Sequence, residues 1–199
     1  GGYPSGIDIE ENSGLADPVV LAQAADVYAV TSGSFSTRND QGSATWALDD
    51  AGVLAIECQV MSGGELPVID VSYAEGQQPW FAVRDSIASV VFKNVDAVNT
   101  SYWFAGCSNL RNVSVVDTTK KSFLSLTWCS SMFLECTGLT VLPVAFLDVL
   151  PRAVNLTSLG SMFKACSNIS GTIPATFTLK ENTNLNYIGH LFEGCNRLS

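Results

Sequence analysis

Six cysteines and a single histidine are the side chains in this 199-residue chain with the widest chemical reach. A thiolate can attack a carbonyl, exchange disulfides or bind a soft metal, and an imidazole can move a proton or hold zinc. The cysteines are Cys58, Cys107, Cys129, Cys136, Cys166 and Cys195. Tetrahedral zinc sites draw on paired Cys-x-x-Cys or His ligands, and the chain has no such pair and only His190. No Ser-His-Asp set is readable around His190. Connectivity cannot be read from spacing, so a disulfide from Cys129 to a neighbouring cysteine is left open.

The carboxylates give little more. Asp8/Glu10/Glu11 and Asp49/Asp50 lack calcium-loop spacing, and the second pair fits turn chemistry better. Glycoside hydrolysis would need two carboxylates converging in a groove, for which Asp70, Glu75, Asp85 and Asp96 are the candidates, none in a motif. No glycine-rich phosphate loop occurs. The expectation is a chain without catalytic residues, metal or cofactor.

The elements that carry these residues recur. Cys107, Cys136, Cys166 and Cys195 stand 29, 30 and 29 residues apart, each at the end of a Phe-x-x-Cys-x-x-(Leu/Ile) unit built on Phe104, Phe133, Phe163 and Phe192. A fixed period of this length is the signature of a solenoid. Positions −7, −4, −3 and 0 hold Leu159, Met162, Phe163 and Cys166, with equivalents in each unit, and this spacing predicts one face of a two-turn helix. Thr127, Thr157 and Asn186 at position −9 are placed to cap such helices, and Asn109, Gly138 and Asn168 at +2 to end them. The cysteines become core positions beside the phenylalanines. Leu110–Val113, Leu139–Leu142 and Ile169–Ile173 read as short extended segments that would stack in parallel.

Ahead of the repeats, Thr45–Leu48 and Val53–Ile56 alternate in polarity around Asp49-Asp50-Ala51-Gly52, a hairpin signal. Residues 1–14 read as a flexible lead-in, Asp17-Pro18 as a helix start, Val27–Thr31 as β-rich and 32–43 as loop. The domain reading is therefore 1–42 as an acidic lead-in, 43–92 as a β-rich N-terminal cap and 93–199 as a solenoid of about four repeats. The fold class is α/β: a leucine-rich-repeat-like solenoid with short parallel strands and short helices behind that cap.

Apolar residues make up 47% and charged residues 15%, enough for a sizeable core. The net charge of −9 sits mostly in residues 1–60, with nine acidic side chains against Arg38. Such a chain repels phosphate, which disfavours nucleic acid and anionic membrane as partners. No apolar run is long enough for a transmembrane helix, so no membrane insertion is expected. The start Gly-Gly-Tyr-Pro-Ser lacks a signal peptide, consistent with a cytosolic protein or with one whose signal is not in this sequence.

The unit Leu156-x-x-Leu159-x-x-Met162-Phe163-x-x-Cys166-x-x-Ile169, with Leu142-Pro143 before it, resembles the BspA-type leucine-rich repeat of bacterial surface proteins. Trp46-x-Leu48-Asp49-x-x-Gly52-x-Leu54-x-Ile56, followed by Pro79-Trp80, resembles the segment that precedes such repeats. The resemblance covers about residues 43–199 and departs from the compact form in the extra residues near 147–155 and 178–184. It implies export, a cell-surface location and non-catalytic binding of a host or cell-surface protein or glycan, as in an adhesin. A structural spacer of a larger surface protein is the alternative, and a polysaccharide- or peptidoglycan-acting domain is the enzymatic one. The Asn-x-Ser/Thr sequons at Asn99, Asn112, Asn155 and Asn168 are then incidental. The last repeat ends at Ser199 directly after its expected helix, and such an unfinished coil would expose Phe192 and Leu198 unless covered, which suggests a fragment or further repeats. Solenoids bind through an extended face, so the candidate ligand surface is Arg111, Asn112, Thr140, Ser170 and Thr172 on the extended segments, with Arg152 and Lys180 on the insertions.

Overall fold

Asp49 closes the first hairpin of the computed structural model, which describes residues 30–199. Its Oδ1 accepts hydrogen bonds from the backbone N–H groups of Ala51 and Val53, both at 2.9 Å. Strands β2 (Ala44–Leu48) and β3 (Val53–Cys58) run antiparallel from this turn, as their alternation predicts. Ala44, Trp46, Leu54, Ile56 and Cys58 point inward from them. Residues 32–43, read as loop, contribute strand β1 (Ser32–Ser34), which pairs antiparallel with β2. The expectations for residues 1–29 lie outside the described residues.

From β3 onward the pairing turns parallel. Strand β4 (Val68–Ile69) follows β3, and β5 (Ser89–Lys93) then pairs parallel with β3. Strand β6 (Asp96–Ala97) pairs with β4, and β7 (Asn112–Val116) with β5. The larger sheet has the order β1-β2-β3-β5-β7. Farther on lie α1 (Val144–Leu147) and the pair β8 (Ser170–Gly171) and β9 (Arg197–Leu198), also parallel. The described residues are sheet-rich with few helices.

The expected repeat helices do not form. The segment from Thr100 to Cys107 is a run of turns, and its N–H groups account for the difference. Those of Thr100, Tyr102, Phe104 and Gly106 donate to the carbonyls of Trp128, Ser130, Met132 and Leu134 in the following coil. Those of Trp103, Ala105 and Cys107 close turns onto Thr100, Tyr102 and Phe104, and Ser101 N–H donates to Asn99 Oδ1. Every backbone donor of the segment is satisfied without a helix. The next two coils repeat the inter-coil scheme: Cys129, Ser131, Phe133 and Glu135 donate to the coil beyond, as do Leu159, Ser161, Phe163 and Ala165. In the units ending at Cys107, Cys136 and Cys166 the i, i+3, i+4, i+7 set still faces inward, because the run of turns brings the same positions to one side, whereas Ile188 in the last unit is 51% exposed.

The conformation needs left-handed residues at −5 and −1. Tyr102, Ser131, Ser161 and His190 fill the first row, and Gly106, Glu135, Ala165 and Gly194 the second, all at positive φ. A side chain in that region costs roughly 1–2 kcal/mol, which glycine avoids. A Cβ on Gly194 would also lie 3.2 Å from Ala165 Cα. Gly194→Ala is therefore expected to lower stability by about 1–2 kcal/mol. Ala165→Gly should raise it by less than about 1 kcal/mol, because glycine also loses more chain entropy on folding. Urea unfolding of both variants checks the pair.

The expected caps do other work. Thr127, Thr157 and Asn186 form a ladder: Thr127 N–H donates to Val98 O, Thr157 N–H to Thr127 O and Asn186 N–H to Thr157 O. Asn109 and Asn168 donate their side-chain amides to the Asp85 and Thr137 carbonyls of the preceding coil. Gly138 is not left-handed and is pressed against the Ser108 and Leu110 carbonyls. The expected extended segment at 139–142 is not a strand, although Ser170 N–H still reaches Thr140 O.

The core is one continuous cluster. Phe104, Phe133 and Phe163 stack coil on coil at centroid spacings of 5.5 Å, and Phe192 continues the column at 5.8 Å. Phe192 and Leu198 are half-buried against it. Trp80 closes the column at its N-terminal end, ringed by Phe35, Trp46, Trp103 and Phe104, with its indole N–H donating to Trp103 O.

Candidate interaction surfaces

The cysteines are a structural ladder. All six are free and buried. Cys136, Cys166 and Cys195 each donate Sγ–H to the carbonyl of the repeat phenylalanine one coil earlier, Phe104, Phe133 and Phe163, at 3.0–3.1 Å. Burial pushes the Cys58 thiol up to about 11 and those of Cys107 and Cys166 up to about 12, and it raises Cys129, Cys136 and Cys195 as well. A thiol held protonated is a poor nucleophile. A disulfide-forming reagent at pH 8 should modify none of these six rapidly in the native protein and all of them in denaturant. Prompt reaction of a repeat cysteine in the native state would contradict the ladder.

A cleft of about 520 Å³ lies between the Phe81–Ser86 segment and the −1 row. A 3-10 segment at Phe81–Ser86 supplies Phe81, Arg84 and Asp85, and Glu75 closes one side. Gly106, Glu135 and Ala165 from successive coils form the wall with Ser108 and Thr137. Arg84 stacks over the Phe81 ring at 4.1 Å, and Ser108 Oγ donates to Asp85 Oδ1 at 3.4 Å. Of the four carboxylates singled out from sequence, Glu75 and Asp85 meet here. Asp70 faces Arg38 at 3.9 Å, and Asp96 is buried with its oxygens accepting from Ser125 N–H and Oγ–H. Burial raises the Asp96 carboxyl above the usual range, and the Ser125 bonds oppose this. Among the described residues, no group of three or more His, Cys, Asp or Glu side chains is placed to hold a metal. His190, on the surface of the last coil, pairs with Glu193.

The expected ligand residues fall in three places. Arg111 and Asn112, at the start of β7, line a second cleft of about 150 Å³ with Val141 and Val144. Thr140, Ser170 and Thr172 are exposed on the following coils, with Thr140 and Ser170 joined by their backbone bond. Arg152 is engaged in an ion pair with Asp117. Partial burial pushes the Asp117 carboxyl up, but hydrogen bonds from Arg152, Thr119 and Ser122 outweigh it and hold the carboxyl below its usual range. Lys180 is exposed. The two insertions stack: Asn182 donates its amide to the Leu150 and Ala153 carbonyls at 2.9 Å, and Asn184 to Val154 O.

Sequence reasoning missed a further row. Asn99, Trp128, Ser158 and Tyr187, at position −8, are joined by parallel bridges from coil to coil. Trp128 is 44% exposed and Tyr187 48%. Ser130 and Ser158 are hydrogen-bonded through their hydroxyls. The available signal was two aromatics at one repeat position, just outside the apolar set.

No protein-family model matches the sequence, and no curated protein matches it. Among solved structures, the fold is similar in part to a leucine-rich cell surface protein from Faecalibacterium prausnitzii A2-165, at TM-score 0.35 and 16% identity, covering 84% of this chain and 53% of that one. It is also similar to a leucine-rich repeat protein of T. pallidum, at TM-score 0.31 and 16% identity, covering 77% of this chain and 87% of that one. The chain thus spans about half the length of the first of these proteins. No helix among the described residues is long and apolar enough to cross a membrane.

Proposed function

We propose that this chain is a non-catalytic binding module of an exported bacterial surface protein, an adhesin-type unit that engages a host or cell-surface protein or glycan through its solenoid surface. One observation carries the reading: the exposed Trp128 and Tyr187 on the bridge ladder. Large aromatic faces left open to water are costly, and on a rigid ladder they mark a contact surface. The Phe-x-x-Cys repeats and their resemblance to BspA-type surface proteins support the surface location. The residues from Arg111 to Thr172 and Lys180 then form a second part of the surface, while Arg152 acts as a brace for Asp117. The domain division into an acidic lead-in, a cap ending near 92 and a four-repeat solenoid belongs to the same proposal.

Arrays of extracellular-matrix proteins, cell-surface proteins and glycans, probed with the full chain, test this. The expected result is a saturable ligand whose binding falls at least about tenfold in the Trp128→Ala/Tyr187→Ala double variant, the loss of about 1.4 kcal/mol or more. No ligand on any array, together with a cytosolic location in cell fractionation, would overturn the proposal.

A further inference from the structure

We propose that the Trp128–Ser158–Tyr187 row is a stacking platform for an extended, neutral polysaccharide; this deepens the binding-module reading and rests on it. The shape of the platform comes from two glycines. Gly160 and Gly189, at position −6, are not left-handed, so their backbone conformation does not call for glycine. Their space is taken by a ring instead. A Cβ on Gly160 would lie 2.1 Å from Tyr187 Cε1, and one on Gly189 would lie 3.0 Å from both Tyr187 Cε2 and its hydroxyl. The tyrosine ring therefore lies across the backbone of two successive coils, with its other side open to water.

Trp128 stands on the same row two rungs away, with Ser158 bridged to both. Rungs about 4.8 Å apart place the two aromatics about 10 Å apart along the ladder. That separation spans two residues of an extended sugar chain, so Trp128 and Tyr187 would meet alternate sugars. A pyranose offers an apolar C–H face to an aromatic ring and hydroxyls at its edge, and the mutually hydrogen-bonded Ser130 and Ser158 hydroxyls stand on the same rows to meet them.

Charge and backbone pairing favour this occupant over others. Positions −8 and −6 hold Asn99, Trp128, Ser158 and Tyr187 with Ser101, Ser130, Gly160 and Gly189, none of them ionised at neutral pH. An acidic or basic ligand would find no counter-charge there. A peptide adding as a strand needs an unpaired edge, and Trp128 and Ser158 are bridged on both sides.

Affinity electrophoresis and calorimetry of the full chain with soluble, neutral, β-linked glucans, xylans and mannans test the inference, with polygalacturonate as the charged control. At least one neutral polysaccharide should retard the protein, with little dependence on salt. Trp128→Ala and Tyr187→Ala should each weaken binding about tenfold, and Tyr187→Phe should stay within about threefold. Cooperative thermal unfolding above the assay temperature shows that the variants fold, with Tyr187→Ala somewhat less stable because its ring packs over Gly160 and Gly189. Three results would overturn the platform: no retardation by any neutral polysaccharide, retardation that the double variant retains, or binding only to the charged control. If the double variant instead loses an array-identified protein ligand, the polysaccharide inference falls and the binding-module reading stands. If no ligand of either kind is found and the protein fractionates to the cytosol, both fall.

Discussion

Phe133→Ala should cost about 3–5 kcal/mol, among the largest effects expected of a single substitution in the repeats. Phe133 is fully buried in the middle of the aromatic column. Phe104 and Phe163 lie on either side at 5.5 Å, the latter nearly parallel, and Phe146 of α1 meets its edge at 5.9 Å. The neighbours cannot collapse into the gap, because each is held by the backbone ladder of its own coil. The penalty is then the lost transfer energy plus a cavity that persists. For a unit of this size the melting temperature should fall by roughly 6–20 °C. Phe192→Ala is the control, since Phe192 is half-buried and stacks on Phe163 alone. A loss of about 1–2 kcal/mol is expected there. Equal losses at the two sites in urea unfolding would show that the coils do not share one column.

Arg152→Met should destabilise by about 1–3 kcal/mol, less than for a fully buried pair because the arginine side chain is 34% exposed. The larger part is the cost of leaving Asp117, whose side chain is 8% exposed, without its partner. The effect depends on pH. The folded-state carboxyl titrates below the unfolded value of about 3.9, so the unfolded chain binds more protons between the two values. Stability from this pair is fully present above the unfolded value and is lost as pH falls through the folded one. Wild type should therefore lose stability below about pH 4 faster than Arg152→Met. Asp96 acts in the opposite sense, because its raised carboxyl makes ionisation unfavourable to the fold as pH rises through the folded value. The difference between wild type and variant cancels that contribution. A gap that stays constant down to pH 2.5 would show that the pair contributes no linkage.

How much of this was legible in the chain depends on where each interaction closes. The β2–β3 hairpin closes within five residues on the Asp49 side chain, and turn chemistry of that range is written locally. The interior positions of the Phe-x-x-Cys units were readable for a similar reason, since repetition shows which residues recur and recurrence at apolar positions marks the core. The helix expectation failed because apolar spacing reports which side faces inward and is silent about where the N–H groups go. Here alternate donors cross to a coil nearly 30 residues away, as Tyr102 does to Ser130, and the residues at −5 and −1 turn left-handed to allow it. Only Gly106 and Gly194 hinted at this, and Glu135 and Ala165 hide it.

By itself, then, the sequence determined the period, the buried seam of phenylalanine and cysteine, and the β2–β3 hairpin, because each rests on residue type and short-range spacing. The tertiary structure decided the rest. It joined Arg152 to Asp117 across 35 residues, set the Sγ–H of each later repeat cysteine on a neighbouring coil's carbonyl, and laid Tyr187 over Gly160 on the same row as an open Trp128. Those outcomes depend on which coil stacks on which and at what register, and no single stretch of the chain encodes them.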